Sequence, residues 1–162
     1  MQEASRTGYT TVAFGLRVRT PILGQTILNT KTTPYEALAE GRTMGNAHGQ
    51  SYGMLNNRAA IELLERLLAS PYALDIKPIS HIHDATYYIV RDNLAAIAWL
   101  NKNLTECMQW QDLPDIKHNK VKLSGKFSIF YPDWRYPITL PVKATGHEIK
   151  EIFNEALENG TN

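Results

Sequence analysis

The first residues that could do chemistry lie in residues 80–90, where Asp84, preceded by His83, separates two apolar-rich, β-prone runs. This pattern predicts a β-hairpin with strands at residues 77–83 and 85–90 and with Asp84 at its tip. A carboxylate held rigidly at such a tip is suited to binding a metal ion. Asp is also a common turn former, because it tolerates turn geometry. The hairpin alone therefore leaves a metal ligand and a plain turn as open interpretations.

A second set of polar side chains falls at helical spacing in residues 40–53. Arg42, Asn46 and Gln50 recur every fourth residue, which would place them on one face of a helix. Glycines follow the same spacing, at Gly41, Gly45, Gly49 and Gly53. Each interior glycine costs a helix about 0.5–1 kcal/mol relative to alanine. We expect either a helix break near residues 48–49 or a face against which something packs very closely, although the polar stripe could also be a plain solvent face.

Other catalytic patterns are weak. The sequence has no P-loop, no dinucleotide-binding glycine motif after a strand, and no Ser or Cys in a recognisable nucleophile motif. His81 and His83 would lie on the same side of a strand and could bind zinc, but no other clear ligand set accompanies them. The single Cys107 lies in a predicted helix, where a structural role is favoured.

The elements that must position these residues are of mixed type. Further short strands are predicted at residues 9–14, 16–20, 121–123 and 126–131, and helices at residues 33–70, 92–110 and 145–158. Capping boxes begin the first and last helices, at Thr33 with Glu36 and at Thr145 with Glu148, and Asp92 is the predicted cap of the middle helix. Strands and helices do not alternate regularly, so the α+β class is favoured over a doubly wound sheet.

Length and composition limit the number of domains and the cellular setting of the chain. A length of 162 residues fits one domain, and the net charge is only +1. Basic residues concentrate in residues 1–58 and 117–126, and acidic residues after residue 147. This distribution is compatible with a polyanion-binding body that carries an appended acidic helix. It is equally compatible with chance clustering of charges on a solvated surface. No apolar run could span a bilayer and a lone cysteine forms no internal disulfide, so we expect no membrane partner and a reducing, cytoplasmic setting.

Four landmarks occur in an order that resembles family A DNA polymerases, the bacterial DNA polymerase I type that many bacteriophages share. Residues 8–21 (GYTTVAFGLRVRTP) are similar to that family's Gly-Tyr … Gly-Arg-Arg … Pro segment, and residues 40–50 (EGRTMGNAHGQ) to its Glu-Arg … Asn-Ala-Pro … Gln pattern. His83-Asp84-Ala85 falls at the position of motif C, His-Asp-Glu, and residues 121–125 resemble the closing strand. The resemblance implies an antiparallel palm-type sheet, with a catalytic hairpin flanked by long helices, in residues 1–134. Residues 135–162 would add a linker and a C-terminal helix.

The resemblance also implies a role for each matched residue. Asp84 would be a palm carboxylate that helps to hold two Mg²⁺ ions at the site of nucleotidyl transfer, with His83 beside the primer terminus. Minor-groove contacts to the DNA primer–template, without sequence preference, would come from Arg42, Asn46 and Gln50. Salt-sensitive phosphate contacts would come from Arg17, Arg19 and Lys31.

The chain departs from the family in ways that affect function. The acid after the motif C Asp is Ala85 here, the family Pro is His48, and the Gly after its Gln is Ser51. Motif A, with the other catalytic Asp, and the fingers helix that binds the incoming dNTP are absent. A lone Asp84 cannot hold two metal ions, and Met1 comes just before the first landmark. We therefore expect the C-terminal palm subunit of a split polymerase, completed by a second polypeptide that carries motif A and the fingers.

Two other interpretations stay open. A non-catalytic accessory module derived from a polymerase would bind primer–template without chemistry, as Ala85 in place of an acid would allow. An unrelated small metal-dependent nuclease or binding protein would be a stable monomer. A palm subunit in isolation, by contrast, would expose an unpaired sheet edge or an apolar patch.

Overall fold

The computed structural model describes residues 1–25, 34–114 and 116–160. The described residues are 49% helix and 18% strand with small antiparallel sheets, which confirms the predicted α+β class. The described residues form five α-helices: α1 (Gln2–Thr7), α2 (Tyr35–Ser51), α3 (Gly53–Leu68), α4 (Leu94–Met108) and α5 (Gly146–Gly160). They also form six strands: β1 (Tyr9–Thr11), β2 (Arg17–Arg19), β3 (Ile76–Ile82), β4 (Ala85–Val90), β5 (Phe127–Phe130) and β6 (Pro137–Leu140).

The described strands pair as three separate two-stranded antiparallel sheets, β1–β2, β3–β4 and β5–β6. Two compact units contain them, residues 1–54 and residues 55–162. Lys31 and Thr33 lie outside the described residues, so the phosphate contact and the first capping box stay predictions. The division at residue 134 concerns the extent of the polymerase resemblance and also stays a prediction.

The first unit is built around the buried face of α2. Ala37 and Met44 of this helix pack with Ala4 of α1 and with Leu23, and all four side chains are buried. The backbone N–H of Leu23 donates to the Glu40 carboxylate at 2.7 Å, which fixes the segment after β2 against the same helix. The sequence did not predict α1, because a six-residue helix depends on this tertiary packing rather than on its own propensity.

The β1–β2 hairpin is shorter than predicted. A 3₁₀ turn at Ala13–Gly15 replaces the predicted strand ends, and both Phe14 and Gly15 have positive φ, 60° and 75°. The N–H of Ala13 donates to the Ser51 hydroxyl at 3.2 Å, and that hydroxyl donates to the carbonyl of His48 at 2.8 Å. A single side chain therefore joins the hairpin turn to the last turn of α2.

The helix predicted over residues 33–70 is two helices, and the break lies at Tyr52 rather than near residues 48–49. The four glycines are not equivalent. A Cβ on Gly41 would lie 2.7 Å from Cε of Met1, whereas a Cβ on Gly45, Gly49 or Gly53 would meet no described atom within 4 Å. The close packing expected at the glycine face is therefore seen within the described chain only at Gly41.

The second unit has its main core between α3, α4 and the base of the β3–β4 hairpin. The buried side chains of this core are Ala59, Leu63, Leu67, Ile76, Ala96, Leu100 and Cys107. Arg66 reinforces the pair of helices, because it bridges Glu62 of α3 at 2.6 Å and Glu106 of α4 at 3.1 Å. Arg58 also pairs with Glu62 and lies over the Trp110 ring at 4.0 Å.

The cap of α4 is Asn93, so the prediction of Asp92 was one residue out. The Asn93 side-chain oxygen accepts from the N–H groups of Ala95 at 3.0 Å and Ala96 at 3.4 Å. An amide suits this position because its nitrogen is free to donate elsewhere while its oxygen caps the helix.

The C-terminal part contains one strand that the sequence did not predict and lacks one that it did. Residues 121–123 form no strand, because side chains satisfy their backbone groups. The N–H of Val121 donates to His118 Nδ1 at 2.8 Å, and the N–H of Leu123 donates to the side-chain oxygen of Gln111 at 3.2 Å. β5 pairs instead with β6, which begins at Pro137.

The final helix is integrated into the second unit. α5 packs against α4 and β6, and Ile149 is fully buried with Leu140 and Ala144. Its predicted capping box is confirmed: the Thr145 N–H donates to the Glu148 carboxylate at 2.7 Å, and the Glu148 N–H donates to the Thr145 hydroxyl at 3.3 Å.

An aromatic contact joins two hairpins of this unit. The Trp134 ring, in the β5–β6 connection, lies 5.1 Å from the Tyr87 ring of β4 and 4.9 Å from the Phe130 ring of β5. These tilted arrangements are favourable ones for aromatic pairs.

Candidate functional site

The hairpin that carries Asp84 has a regular ladder and a minimal turn. β3 and β4 pair from Ile76 opposite Val90 to Ile82 opposite Ala85, with a register shift between Pro78 and Ser80. Only His83 and Asp84 connect the strands, whereas the sequence predicted His83 in the first strand and Asp84 alone at the tip. A two-residue connection allows little freedom to either residue, so the orientation of Asp84 is tied to the ladder.

The backbone at His83 is unusual for a residue other than glycine. Its φ is 54°, and Asp84 is not among the described residues with positive φ. Positive φ at the first central residue alone is the pattern of type II′ turns, where glycine is normally found. Among other residues, Asn, Asp and His are the ones most often found with positive φ. The turn therefore places His83 and Asp84 side by side at the exposed end of the ladder.

The base of the hairpin is held more firmly than its tip. The Asp75 carboxylate accepts from the Asn93 side-chain amide at 3.0 Å and pairs with Arg91 at 3.4 Å. Tyr88 and Val90 pack against the main core, and burial raises the pKa of the Tyr88 phenol. Asp84 thus projects from a ladder whose other end is fixed in the core and at the cap of α4.

The carboxylate of Asp84 is exposed, and it forms no hydrogen bond or ion pair with any described residue. Within residues 1–25, 34–114 and 116–160, no three His, Cys, Asp or Glu side chains gather in a way that could hold a metal ion. One carboxylate does not complete a two-Mg²⁺ site, and His81 and His83 lack the further ligands that zinc requires. The described residues alone therefore do not fit either metal centre.

Two of the predicted phosphate-binding residues share one face of β2. Arg17 and Arg19 are two residues apart on the strand and both are exposed. The Arg17 guanidinium lies 4.5 Å from the centre of the Tyr9 ring on β1, diagonally across the ladder. No carboxylate among the described residues pairs with either arginine, so both charges are available to an anion.

Three polar residues and two glycines share the exposed face of α2. Arg42, Asn46 and Gln50 are all exposed, as their spacing predicted. On the same side of the helix lie Gly45 and Gly49, where a Cβ would meet no described atom within 4 Å. Polar side chains therefore flank a low backbone surface that another molecule could approach closely.

The predicted site residues fall in both compact units. The first unit carries Arg17, Arg19, Arg42, Asn46 and Gln50, and the second carries His83 and Asp84. Each group is exposed within its own unit.

Sequence reasoning missed the positioning role of Ser51. Its hydroxyl links Ala13 to the end of α2. A serine near a helix C-terminus is a recognisable signal for such a side-chain-to-backbone bond, but its partner 38 residues earlier is a tertiary contact.

The hairpin also exposes apolar side chains and unpaired edges. Ile79, Ile82 and Ile89 are 51%, 52% and 61% exposed. Among the described strands, β3 and β4 pair only with each other, so each has one edge without a partner. Unpaired edges with exposed isoleucines are typical of surfaces that receive another strand or chain.

None of the helices in the described residues is both long enough and apolar enough to cross a membrane. The chain matches no protein-family model, no curated protein and no solved structure. The resemblance to family A DNA polymerases therefore rests on its four short landmarks and stays a prediction.

Proposed function

We propose that this chain is the C-terminal palm part of a template-directed DNA polymerase of family A, acting in the cytoplasm on a DNA primer–template and dNTP. In this proposal Asp84 is one of the carboxylates of the nucleotidyl-transfer site. A second polypeptide supplies motif A and the fingers.

The observation that carries the proposal is the position of Asp84. Its carboxylate is exposed at a two-residue turn, at the end of a ladder whose base is fixed by Asp75 and Asn93. A catalytic carboxylate must be held in a fixed place and yet be accessible to metal and substrate. The seven-residue strand below the turn and the tie to the cap of α4 would supply that fixed position.

The shortage of carboxylates is consistent with a shared site. When bound, two Mg²⁺ ions would activate the primer hydroxyl and stabilise the leaving group. Asp84 would contribute one of their ligands, and the others would come from the second polypeptide, because the described residues form no group of three that could hold a metal ion. The unpaired edges of β3 and β4 and the exposed Ile79, Ile82 and Ile89 offer that polypeptide a surface to join.

The first unit supports the DNA-binding part of the proposal. Arg17 and Arg19 present two charges on one face of β2, spaced along a strand as successive backbone phosphates would require. On α2, the amide side chains of Asn46 and Gln50 can bond to the acceptors that every base pair shows in the minor groove. The low surface at Gly45 and Gly49 lets a duplex approach that closely.

The decisive experiment is primer extension by this chain together with the product of the reading frame that encodes motif A and the fingers in the same genome. We expect extension only from the mixture. The Asp84→Asn variant should lose it by a factor of about 1,000 or more, because a charged metal ligand is replaced by a neutral one. Asp92→Asn is the matched control, since Asp92 is an exposed aspartate beyond the base of the same hairpin. Robust extension by this chain alone, or equal activity of the two variants, would overturn the proposal.

A second candidate is a non-catalytic module that binds primer–template. It is favoured by the fact that the polar and glycine face of α2 and the arginines of β2 lie in one compact unit without Asp84. The two candidates differ in one measurement. The accessory module predicts that Asp84→Asn leaves both DNA binding and the synthesis rate of the assembled polymerase unchanged.

A further inference from the structure

The loop formed by residues 116–123, between α4 and β5, is basic, and Lys122 is the one lysine in it that belongs to a polymerase landmark. It contains Lys117, Lys120 and Lys122, all exposed, and Lys126 follows, directly before β5. None of these lysines forms an ion pair with a described carboxylate. The acids that precede the loop in the sequence are Asp112, which is exposed, and Asp115, which lies outside the described residues.

Gln111 closes this loop from one side. Its side-chain nitrogen donates to the carbonyl of Ile116 at 3.1 Å and to that of Val121 at 3.2 Å. Its side-chain oxygen accepts from the N–H of Leu123 at 3.2 Å. One amide therefore satisfies three backbone groups, which holds the two ends of the loop together.

His118 folds the middle of the loop. Its Nδ1 accepts from the N–H of Val121 at 2.8 Å and from the N–H of Lys120 at 3.2 Å. A ring nitrogen that accepts carries no proton, so this arrangement belongs to the neutral imidazole with its proton on Nε2. The carbonyl of His118 also accepts from the Lys122 ammonium at 3.4 Å. The imidazole thus fixes the backbone that carries the lysines.

The folded loop forms an open surface depression of about 410 Å³ lined by Lys117, His118, Asn119 and Lys120. Two ammonium groups and one side-chain amide provide hydrogen-bond donors and positive charge around it, and no carboxylate of the described residues lines it. Tetrahedral oxyanions are the ligands for which such donors are suited. The space is sufficient for a phosphate group and the adjoining sugar.

We propose that this loop, residues 116–123, binds a backbone phosphate of a nucleic-acid strand, with Lys117 and Lys120 as the contacts and His118 and Gln111 as positioning residues. The choice of a nucleic acid as the source of the phosphate rests on the proposed function. The site itself does not depend on Asp84 or on the arginines of β2, and its test needs no synthesis.

The first test measures the affinity of the full chain for a labelled single-stranded oligonucleotide over a series of salt concentrations, by fluorescence anisotropy. The double variant Lys117→Gln/Lys120→Gln should lower the slope of log K against log salt by about 1.4, because each phosphate contact on a single strand contributes about 0.7. The matched control is Lys102→Gln/Lys150→Gln, which removes the same charge from exposed positions on α4 and α5. Equal slopes for the two double variants would overturn the proposal.

The second test separates positioning from charge. Asn at position 118 can still accept, through its side-chain oxygen, from N–H groups two and three residues later. We expect His118→Asn to retain the oligonucleotide affinity and His118→Leu to weaken it about threefold or more, with unchanged circular dichroism. If the Asn and Leu variants bind alike, His118 does not position the site.

The third test identifies the source of the phosphate. Inorganic pyrophosphate is added to the preformed oligonucleotide complex at constant ionic strength. If the loop binds a nucleic-acid strand, pyrophosphate should displace little of the oligonucleotide. Displacement of the wild type at pyrophosphate concentrations that leave Lys117→Gln/Lys120→Gln unaffected would show a site for small phosphates and would overturn the nucleic-acid proposal. Failure of primer extension would leave all three results unchanged, so the two proposals fail separately.

Discussion

The side-chain amide of Asn93 donates to the carboxylate of Asp75 at 3.0 Å while its oxygen caps α4. One residue therefore joins the base of the Asp84 hairpin to the first turn of the helix that follows it. Asp75 is also paired with Arg91 at 3.4 Å, so both strands of the hairpin meet at this point.

Replacing Asn93 should destabilise the second unit. Asn93→Ala removes the helix cap and the bond to Asp75, and we expect the free energy of unfolding to fall by about 1–2 kcal/mol. Urea denaturation followed by circular dichroism measures this. Asp92→Ala, one residue earlier and exposed, is the control and should change it by less than about 0.5 kcal/mol. Equal decreases in the free energy of unfolding for the two substitutions would show that the helix cap and the Asp75 bond of Asn93 do not stabilise the second unit.

The exposed glycines of α2 should show opposite effects on stability and on binding. Gly45→Ala and Gly49→Ala should each stabilise the chain by about 0.5–1 kcal/mol, because the new Cβ meets no described atom and alanine favours the helix. If this face receives a duplex, the same substitutions should weaken primer–template binding, as measured by anisotropy. A gain in stability with unchanged affinity would indicate a plain solvent face.

The thiol of Cys107 should react only when the second unit opens. Burial raises the pKa of this thiol to about 11, so at mildly alkaline pH only about one molecule in a thousand carries the reactive thiolate. We expect slow labelling by Ellman's reagent in buffer and fast labelling in denaturing urea. Rapid stoichiometric labelling of the native chain would contradict the burial of Cys107 between α3 and α4.

The ion pairs of α3 should make stability fall in acid. Burial acts to raise the pKa of Glu62, but the hydrogen bond from Arg66 and the charge of Arg58 outweigh it, and the pKa lies below the ordinary value of 4.5. The unfolded chain then binds more protons in this range, so the contribution of Glu62 is complete above about pH 4.5 and is lost as the pH falls through the lowered pKa.

Glu62→Gln should therefore lower the urea midpoint at neutral pH and flatten its decline in acid. Glu65→Gln is the control, because Glu65 is an exposed neighbour on the same helix without a described ion pair. Parallel acid profiles of the Glu62 variant and the wild type would show that these ion pairs do not govern acid sensitivity.

The sequence predicted those features whose signals are local. Apolar-rich, β-prone runs on both sides of Asp84 indicated the hairpin, and the capping box at Thr145 and Glu148 marked the start of α5. The face of α2 with Arg42, Asn46 and Gln50 followed from spacing alone. These signals depend on neighbours within a turn or a ladder, so one sequence is enough to read them.

Features that depend on distant partners were missed or misplaced. Residues 121–123 have the composition of a strand, but His118 and Gln111 satisfy their backbone groups instead. β6 begins with a proline and was not predicted, because its pairing with β5 across a proline-rich connection decides its structure. The functional residues are a similar case. The sequence predicted that Asp84 lies at the tip of a hairpin. The residues that would surround it in an assembled site depend on other chains and on distant contacts, which local sequence patterns do not encode.

The packing of Trp134 on Tyr87 and Phe130 gives the protein a built-in optical reporter. The indole is 62% exposed but rests on β4, a few residues from the turn that carries Asp84. Any chain that covers this end of the hairpin, or any rotation of the hairpin, changes the polarity around the indole and with it the wavelength of its emission. Because Trp99 and Trp110 also emit, replacing both with phenylalanine would leave Trp134 as the natural reporter of assembly, without an attached dye.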